Sequence, residues 1–433
     1  MVIDRGRRLE IAFHMNVGSG AWTAGVQYLA NLFAALQAIE GTRIPKLVLL
    51  VPHSNRSEYS VPESCTPAPL KRYVDRVIVV PVESVRISSA LTRYLRGKVR
   101  SLRYRLGLVP PWQSPLSIFL QEQRIDAVFS NIDFGAGFRI PLVVWIPDFQ
   151  SRRLPEMFPS NEREALGLYR RRMIRHADRI VLSSHDAAKD YISFVRDFSS
   201  FVPTECAEKA RVLPFVAQLS ESVYQTDPVW ICMEYCLPDK FIYLPNQFWK
   251  HKNHRVVIQA LKKCRARGVE ITVVCTGNTN DHRDPGFFGG LMLEISKEGV
   301  RDNMIMLGLV PREHLPALMR QSLAILQPSL FEGWSTTVEE AKSLGKSVVL
   351  SDIPVHREQN PPNALYFDPH SPEALADCLM QVFQTRGAGP DLAMEEQARR
   401  KLPERTKEYA EAFMRVVDEC VASRKSDPAT KRG

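Results

Sequence analysis

Short apolar runs alternate with amphipathic segments along nearly the whole chain. A buried strand forms a short continuous apolar run, whereas a surface helix repeats its apolar residues every three or four positions. The alternation therefore predicts β-α-β units and parallel sheets. Strands are predicted over 9–14, 46–51, 76–81, 126–130, 141–146, 179–182 and 211–213, and then over 240–244, 270–276, 303–307, 323–327, 347–351 and 364–367. This number of strands indicates an α/β fold with two doubly wound domains, each with a sheet of about six strands.

The boundary between the two domains is predicted between 217 and 239, where the chain carries few clear signals. An apolar stripe at helical spacing predicts one helix near the end of the chain, from about 404 to 421. The residues after this helix are polar. We therefore expect a first domain over 1–218, a second domain over 219–400, a helix over 401–422 and a polar tail over 423–433.

The composition is that of a globular protein. Apolar residues make up 45% and charged residues 24% of the 433 positions, which excludes a disordered chain, a collagen-like repeat and a coiled coil. No run approaches the roughly 18 apolar residues of a membrane-spanning helix, and no signal peptide is visible. The eight cysteines lack the spacing of a zinc site, so we expect a cytoplasmic protein without a metal site.

The positive charge lies in the first half of the chain. Residues 1–220 hold 30 Lys and Arg against 20 Asp and Glu, whereas residues 221–433 hold 27 against 28. A basic segment from Arg86 to Leu106 repeats its apolar residues at helical spacing. It is expected either to pack its apolar stripe on the core or to lie on an anionic membrane surface. No nucleic-acid-binding motif accompanies the charge, so nucleic acid is not an expected partner.

The strongest chemical signal is the segment FEGWSTTVEEAK, which follows a predicted strand and separates Glu332 from Glu340 by seven residues. Serine and threonine favour the cap position, so a helix is expected to begin near Ser335. Its amides and the positive end of its dipole would bind a phosphate or pyrophosphate. Glu332 would lie just before the helix, and Glu340 would accept hydrogen bonds from vicinal hydroxyls such as those of a ribose. The alternative is that both glutamates have no ligand and are only acidic residues near the start of a helix, where the helix dipole favours them.

A second signal, YLPNQFWKHKNH, lies at another junction of a strand and a helix. Lys250 and Lys252 follow the carboxyl end of a predicted parallel strand, where ligands bind in doubly wound sheets. A lysine makes a charge-assisted hydrogen bond to a phosphate. The alternative is that both lysines are solvated charges at the start of a helix. His251 and His254 are interpreted as surface or capping residues and not as metal ligands.

Together these features resemble the GT-B glycosyltransferases, and most closely the retaining group 1 (family 4) enzymes. The resemblance is carried by E-x7-E after a strand, KHKN before a helix, and WIPDFQ, LPEMF and HADRIVLSS in the first half. It implies two Rossmann-like domains facing a cleft. The first would bind the acceptor and the second the nucleotide-sugar donor, while the C-terminal helix would cross back to the first domain.

The implied activity is retaining transfer of a hexose-type sugar from a UDP- or GDP-sugar to a glycan or polyprenyl-linked acceptor. Such an enzyme would act in cell-surface polysaccharide synthesis, in the cytoplasm or at the inner face of the membrane. The chain contains no D-x-D sequence, so we expect neither a metal nor another cofactor.

The resemblance also implies roles for single residues. Glu332 would contact the transferred sugar and stabilise it at the transition state, Glu340 would hold the ribose, and Lys252 would hold the pyrophosphate. The usual arginine of the family falls on Asn246 here, so Lys250 is expected to supply the second positive charge.

Two stretches depart from the pattern of the family. Pro147 stands where the family often places a histidine, so Asp148 or Gln150 is expected to take part in catalysis instead, unless Asp148 only caps the turn after its strand. The backbone near Gly25 is expected to approach the donor. The usual GFGLP stretch is replaced by a segment whose amides and hydroxyls would serve the same phosphates: Gly333, Trp334, Ser335, Thr336 and Thr337.

Two other functions stay open. A catalytically inactive GT-B-like protein would bind a nucleotide or a glycan, or support a partner enzyme. An epimerase or phosphorylase on the same fold would convert or cleave a sugar without an added acceptor.

Overall fold

The first half of the chain forms a seven-stranded parallel sheet. The structure is a computed structural model, and it describes residues 7–14, 23–52, 66–80, 113–198 and 202–426. The strands lie in the order β3-β2-β1-β4-β5-β6-β7, as expected for a doubly wound sheet. Their bounds are β1 Glu10–His14, β2 Lys46–Pro52, β3 Arg76–Val80, β4 Ala127–Ser130, β5 Leu142–Ile146, β6 Arg179–Leu182 and β7 Ala210–Val212.

Helices cover both faces of this first sheet. Leu32 and Phe33 of the first helix share one core with Phe413 near the end of the chain, whereas Leu120 and Phe194 belong to the core on the other face. The helices of this first domain are α1 Thr23–Leu36, α2 Ala68–Lys71, α3 Pro115–Glu122, α4 Gln150–Arg153, α5 Ser160–His176, α6 His185–Arg196 and α7 Pro203–Lys209.

A second parallel sheet of six strands follows, in the order β10-β9-β8-β11-β12-β13. Its strands are β8 Ile242–Pro245, β9 Val273–Thr276, β10 Met304–Gly308, β11 Ile325–Gln327, β12 Val348–Ser351 and β13 Leu365–Phe367. The helices of this second domain are α8 Glu221–Gln225, α9 Pro228–Glu234, α10 His254–Ala266, α11 Phe287–Lys297, α12 His314–Gln321, α13 Thr336–Leu344, α14 Pro354–Gln359 and α15 Pro372–Thr385. The predicted boundary region thus holds two short helices, of which α9 packs against α12.

The last helix, α16 Leu392–Ser426, joins the two domains. It packs against α13 of the second domain and then against α1 of the first, so the predicted crossing of the C-terminal helix is confirmed. The helix begins earlier than expected because it continues through Pro403, a residue type that usually ends a helix. It also continues to Ser426, into the predicted polar tail, and residues 427–433 lie outside the described part of the chain.

The sequence pattern predicts the architecture well. Each of the thirteen predicted strands is present, and the two doubly wound parallel sheets are confirmed. Within the described ranges, no helix is both long enough and apolar enough to cross a bilayer. The basic segment from Arg86 to Leu106 lies outside the described residues, so the choice between a core-packed helix and a membrane contact stays a prediction.

Candidate functional site

An ion pair between Lys252 and Glu332 lies at the carboxyl edge of the second sheet. Lys252 ends a 3₁₀ turn after β8, Glu332 follows β11, and these strands are neighbours in the sheet. The Lys252 Nζ lies 2.6 Å from the Glu332 Oε1, and the side chains are 14% and 11% exposed. Burial alone would raise the pKa of Glu332, but the Lys252 ammonium lowers it to about 2. Glu332 is therefore an ionised carboxylate at neutral pH.

A buried amide, Gln327 on β11, holds the carboxylate of Glu332 in place. Its Nε2 donates to the Glu332 Oε1 over 3.0 Å and to the Ser335 Oγ over 3.1 Å. Its Oε1 accepts from the Asn246 Nδ2 over 2.7 Å. Since the carboxylate accepts only, Gln327 must present its NH₂ group there and its oxygen to Asn246. Asn246 therefore reaches Glu332 through Gln327, a residue that the sequence analysis did not select.

The first turn of α13 lies beside this pair. Ser335 is the N-cap, and its Oγ accepts from the Val338 amide. Gln359 of α14 makes two hydrogen bonds to the backbone of Ser335. Its Oε1 accepts from the Ser335 amide over 3.2 Å, and its Nε2 donates to the Ser335 carbonyl over 3.0 Å. The amides of Thr336 and Thr337 follow at the first two helical positions, where an amide has no acceptor within the helix. These two amides suit an anion.

Glu340 lies one turn further along α13. Its Oε1 accepts from the Arg312 Nη2 over 3.1 Å, and its side chain is 12% exposed. Burial raises the pKa of Glu340, and Arg312 offsets part of that effect. A ligand hydroxyl at this carboxylate would therefore share it with Arg312.

Gly333 marks a close approach of the two domains. A Cβ atom at this position would lie 2.5 Å from the Pro147 carbonyl oxygen and 2.9 Å from the Asp148 Cβ. Only glycine permits this approach, because no side-chain atom fits at those distances. The loop that carries Glu332 is therefore held directly against the end of β5 in the first domain.

Two further contacts join the domains around this point. The Trp334 indole nitrogen donates to the Phe215 carbonyl over 3.0 Å, and the Trp334 ring packs on the core of the first domain. Glu358 of α14 accepts from the amides of His185 and Asp186 over 2.8 and 3.2 Å, so it caps the start of α6. The side chain of Trp334 is thus used in this interdomain contact, whereas its predicted role at the donor concerned the backbone of the segment.

Asp148 and Gly25 are the site residues that the sequence places in the first domain. The Asp148 Oδ1 accepts from the Gln150 amide over 2.9 Å, which is the capping role left open as the alternative. The same residue faces Gly333 across the domain contact. Gly25 is buried as the third residue of α1.

A cavity of about 300 Å³ lies between the domains. Gln150 and Phe158 line it from the first domain, and Lys250 and Arg283 line it from the second. The Arg283 guanidinium lies 4.2 Å from the centroid of the Phe158 ring, so an interdomain cation-π contact borders the cavity. Lys250 is exposed and therefore accessible to a ligand in this space.

The interpretation of His251 and His254 as surface or capping residues is wrong, because both are buried. Burial and the nearby Lys252 charge lower the pKa of each to about 3, so both are neutral at neutral pH. His254 stacks on Phe248 with a centroid distance of 4.6 Å. Across the described ranges, no group of three or more His, Cys, Asp and Glu side chains is placed to hold a metal ion.

Comparison with known proteins finds a family and a relative that each match part of the chain. Residues 237–411 match the family described as glycosyl transferases group 1. A segment of 100 residues, 23% of this chain, is 30% identical to the O-antigen chain mannosyltransferase B of Escherichia coli. That segment spans 26% of the length of the mannosyltransferase.

Solved structures resemble nearly the whole chain. Anabaena Alr3699/HepE in complex with UDP and glucose has a TM-score of 0.61 and 16% identity, covering 97% of this chain and 100% of its own. A glycosyltransferase from Rickettsia africae has a TM-score of 0.61 and 14% identity, with coverages of 97% and 99%. WaaG, a glycosyltransferase involved in lipopolysaccharide biosynthesis, has a TM-score of 0.53 and 13% identity, with coverages of 96% and 100%. The expected GT-B fold is confirmed, as is the resemblance to group 1 glycosyltransferases, which are enzymes.

Proposed function

Since residues 237–411 match the glycosyl transferases group 1 family, we propose that the protein transfers a hexose-type sugar from a UDP- or GDP-sugar. The acceptor is a glycan or a lipid-linked glycan, the anomeric configuration is retained, and no metal is required. The relatives support this proposal, because their names refer to UDP with glucose, to an O-antigen chain and to lipopolysaccharide. Such an activity belongs to the synthesis of a cell-surface polysaccharide.

The observation that carries the proposal is the order of groups from the loop before α13 into that helix. An ionised carboxylate, Glu332, is followed by the amides of Thr336 and Thr337 and then by a second carboxylate, Glu340. A nucleoside diphosphate sugar has the matching order: a hydroxylated sugar, an anionic diphosphate and a hydroxylated ribose. Lys252 adds a positive charge beside the sugar end of this series.

In the proposed reaction, the bond between the anomeric carbon and the diphosphate oxygen breaks while the acceptor oxygen bonds to that carbon, and the proton of the acceptor hydroxyl passes to the departing diphosphate oxygen. Negative charge develops on the departing diphosphate, and Lys252, Lys250 and the amides at the start of α13 stabilise it. Glu332, held by Gln327, stabilises the positive charge that develops on the sugar. Asp148, which faces Gly333 across the domain contact, closes the site from the side of the first domain.

Donor binding changes the partner of Lys252. When the diphosphate takes the ammonium of Lys252, Glu332 becomes available to the hydroxyls of the sugar. The ion pair is therefore replaced by a contact of Lys252 with the diphosphate and a contact of Glu332 with the sugar hydroxyls. Neither of the two buried charged groups is then left without a partner.

A thermal-shift panel tests the donor site. UDP, GDP, ADP and their common sugar conjugates are added in EDTA to the wild type, to Lys252→Ala and to a control, Lys297→Ala. Lys297 is an exposed lysine of the same domain. A ligand at 100 times its dissociation constant adds about 2.7 kcal/mol of stability. We expect UDP or GDP ligands to raise the melting temperature of the wild type, and ADP to leave it unchanged. Lys297→Ala should show the same shift as the wild type, whereas Lys252→Ala should show none.

Turnover then separates the enzyme from a binding protein. Donor consumption is followed in EDTA with candidate acceptors, and the anomeric configuration of the product is read by NMR. A nucleotide that stabilises the protein without any turnover would favour the catalytically inactive alternative. A shift that survives in Lys252→Ala would refute the assignment of the donor site.

A further inference from the structure

A second, larger cavity lies wholly within the first domain. It has a volume of about 630 Å³, within the range of pockets that bind small molecules. Residues of α4, α5 and α6 line it, and four of them are arginines against a single carboxylate, Glu164. We call this cavity the arginine groove, defined by Arg152, Arg163, Arg170, Arg171, Leu168 and Phe194.

Among the described residues, Arg170 is a buried cation without a carboxylate in hydrogen-bond contact. It is 8% exposed and donates to the Ser151 Oγ over 2.8 Å and to the Asp148 carbonyl over 3.2 Å. Both acceptors are uncharged. Burial lowers the pKa of Arg170, and the charges of Asp148 and Asp190 offset only part of that effect, because a desolvated guanidinium is costly when no anion contacts it directly. An anion bound in the groove would remove that cost.

The other arginines differ in how far their charge is satisfied. Arg152 is paired with Asp197, and Arg171 lies 4.3 Å from the centroid of the Phe198 ring. Arg163 is exposed in the second turn of α5. A cation this close to the start of a helix gains nothing from the helix dipole, and the exposed guanidinium of Arg163 is accessible to an anionic ligand.

The groove also presents apolar surface. Leu168 of α5 is 60% exposed, although most of the leucines in the described segments are buried. The aromatic ring of Phe194 lines the same space. Arginines beside apolar side chains match a ligand that has an anionic group on an apolar chain.

The groove lies beside the proposed catalytic cleft. Ser151 and Pro155 line the groove, whereas Gln150 and Glu156 line the cavity between the domains. The segment from 150 to 160 is thus a shared wall. Through its bond to the Asp148 carbonyl, Arg170 is tied to the residue that faces Gly333.

We propose that the arginine groove binds the phosphate or diphosphate of an acceptor whose other part is an apolar chain. This inference rests on the proposed function, for which it names the class of acceptor. Arg163 and Arg170 bind the phosphate oxygens, and Leu168 contacts the chain. The glycan end of the acceptor then lies on the side of the cleft.

Binding of farnesyl diphosphate to the full chain, measured by calorimetry in EDTA, tests the groove. Farnesol and inorganic pyrophosphate separate the two halves of the ligand. Variants Arg163→Ala and Leu168→Asn probe the groove, and Arg175→Ala is the matched control, because Arg175 is an exposed arginine of α5 that does not line the groove. Lys252→Ala reports any binding of the diphosphate at the donor site.

We expect farnesyl diphosphate to bind at least about tenfold more weakly to Arg163→Ala, since one charge-assisted contact is lost. Leu168→Asn should weaken binding too, while Arg175→Ala and Lys252→Ala should keep the wild-type affinity. Equal binding to every groove variant would overturn the proposal, and so would a loss confined to Lys252→Ala. Farnesol or pyrophosphate binding as tightly as farnesyl diphosphate would also overturn it.

The donor panel keeps this outcome separate from that of the proposed function. Arg163→Ala should show the nucleotide shift of the wild type, because the groove lies outside the donor domain. If the donor panel fails while farnesyl diphosphate follows Arg163 and Leu168, the proposed function is wrong and the groove stands as a binding site. If the groove variants have no effect while the donor shift is present, only the inference about the acceptor is wrong.

Discussion

Replacing Lys252 by methionine removes the cation that keeps Glu332 ionised. The pKa of Glu332 falls from 4.5 to about 2 in the folded protein, and one pKa unit corresponds to about 1.4 kcal/mol. The shift therefore contributes about 3 kcal/mol to the free energy of unfolding at neutral pH. Without Lys252 the largest of the effects that lower this pKa is lost, and burial, which raises the pKa, is opposed by fewer groups, among them the Gln327 amide. We expect Lys252→Met to lose about 3 kcal/mol at pH 7, in line with other broken buried pairs.

The pH dependence identifies the cause of this loss. Because the folded-state pKa lies below the unfolded-state value, the stabilisation is complete above about pH 5 and is lost as the pH falls through 4.5 toward 2. Urea unfolding of the wild type and Lys252→Met between pH 7 and pH 3 measures this. The difference between the two proteins should shrink steadily below pH 5. Adding Glu332→Gln to Lys252→Met should restore stability at pH 7, because no buried carboxylate is then left unpaired.

An exposed ion pair supplies the matched control. The Lys262 Nζ lies 2.7 Å from the Glu298 Oε2, nearly the distance of the buried pair, but the Lys262 side chain is 57% exposed. Lys262→Met should have little effect at any pH, since solvent screens such pairs. The reasoning fails if Lys252→Met costs as much at pH 3 as at pH 7, or no more than Lys262→Met.

Three further predictions concern the surroundings of the pair. Gln327→Leu should cost about 1–3 kcal/mol in urea unfolding, because it leaves the buried amide of Asn246 unsatisfied; a neutral result would contradict the network. Gly333→Ala should lower the melting temperature by overpacking, whereas Gly289→Ala, with open space at its Cβ, should raise it; equal effects would refute the close approach. Glu358→Gln should cost about 0.5–1 kcal/mol by weakening the cap of α6, and an unchanged melting temperature would contradict it.

The fold could be predicted from the sequence because its strands are buried. A parallel strand covered on both faces forms an apolar run that is visible without an alignment, and every predicted run is a strand. The start of α16 could not be predicted in the same way. Pro403 interrupts the helical pattern, and the contacts that keep the helix intact are tertiary: Arg405 of α16 donates to the buried Glu339 of α13 over 2.6 Å.

Only those site residues that belong to a recognisable sequence motif could be predicted. Lys252 and Glu332 follow two strands that the pattern identifies, so their meeting at one sheet edge could be expected. Gln327 and Gln359 are single polar residues at the ends of a strand and of a helix, and their roles depend on which strands are neighbours. Trp334 was expected at the donor because of its place in the motif. Its contact with the other domain depends on how the domains pack, which no local pattern encodes.

The two cationic regions suit ligands with different fates. Lys252 already has a carboxylate partner, so a diphosphate that binds it must displace Glu332, and the same carboxylate can take the lysine back when the diphosphate leaves. Within the described part of the chain, Arg170 makes its hydrogen bonds to uncharged acceptors, so an anion that binds it breaks no ion pair. In the proposed reaction the nucleoside diphosphate must leave after every transfer, whereas the anchored part of an acceptor is unchanged by the chemistry. Lys252, which has a carboxylate partner, is therefore suited to bind the nucleoside diphosphate that leaves. Arg170 is suited to bind the part of the acceptor that stays unchanged.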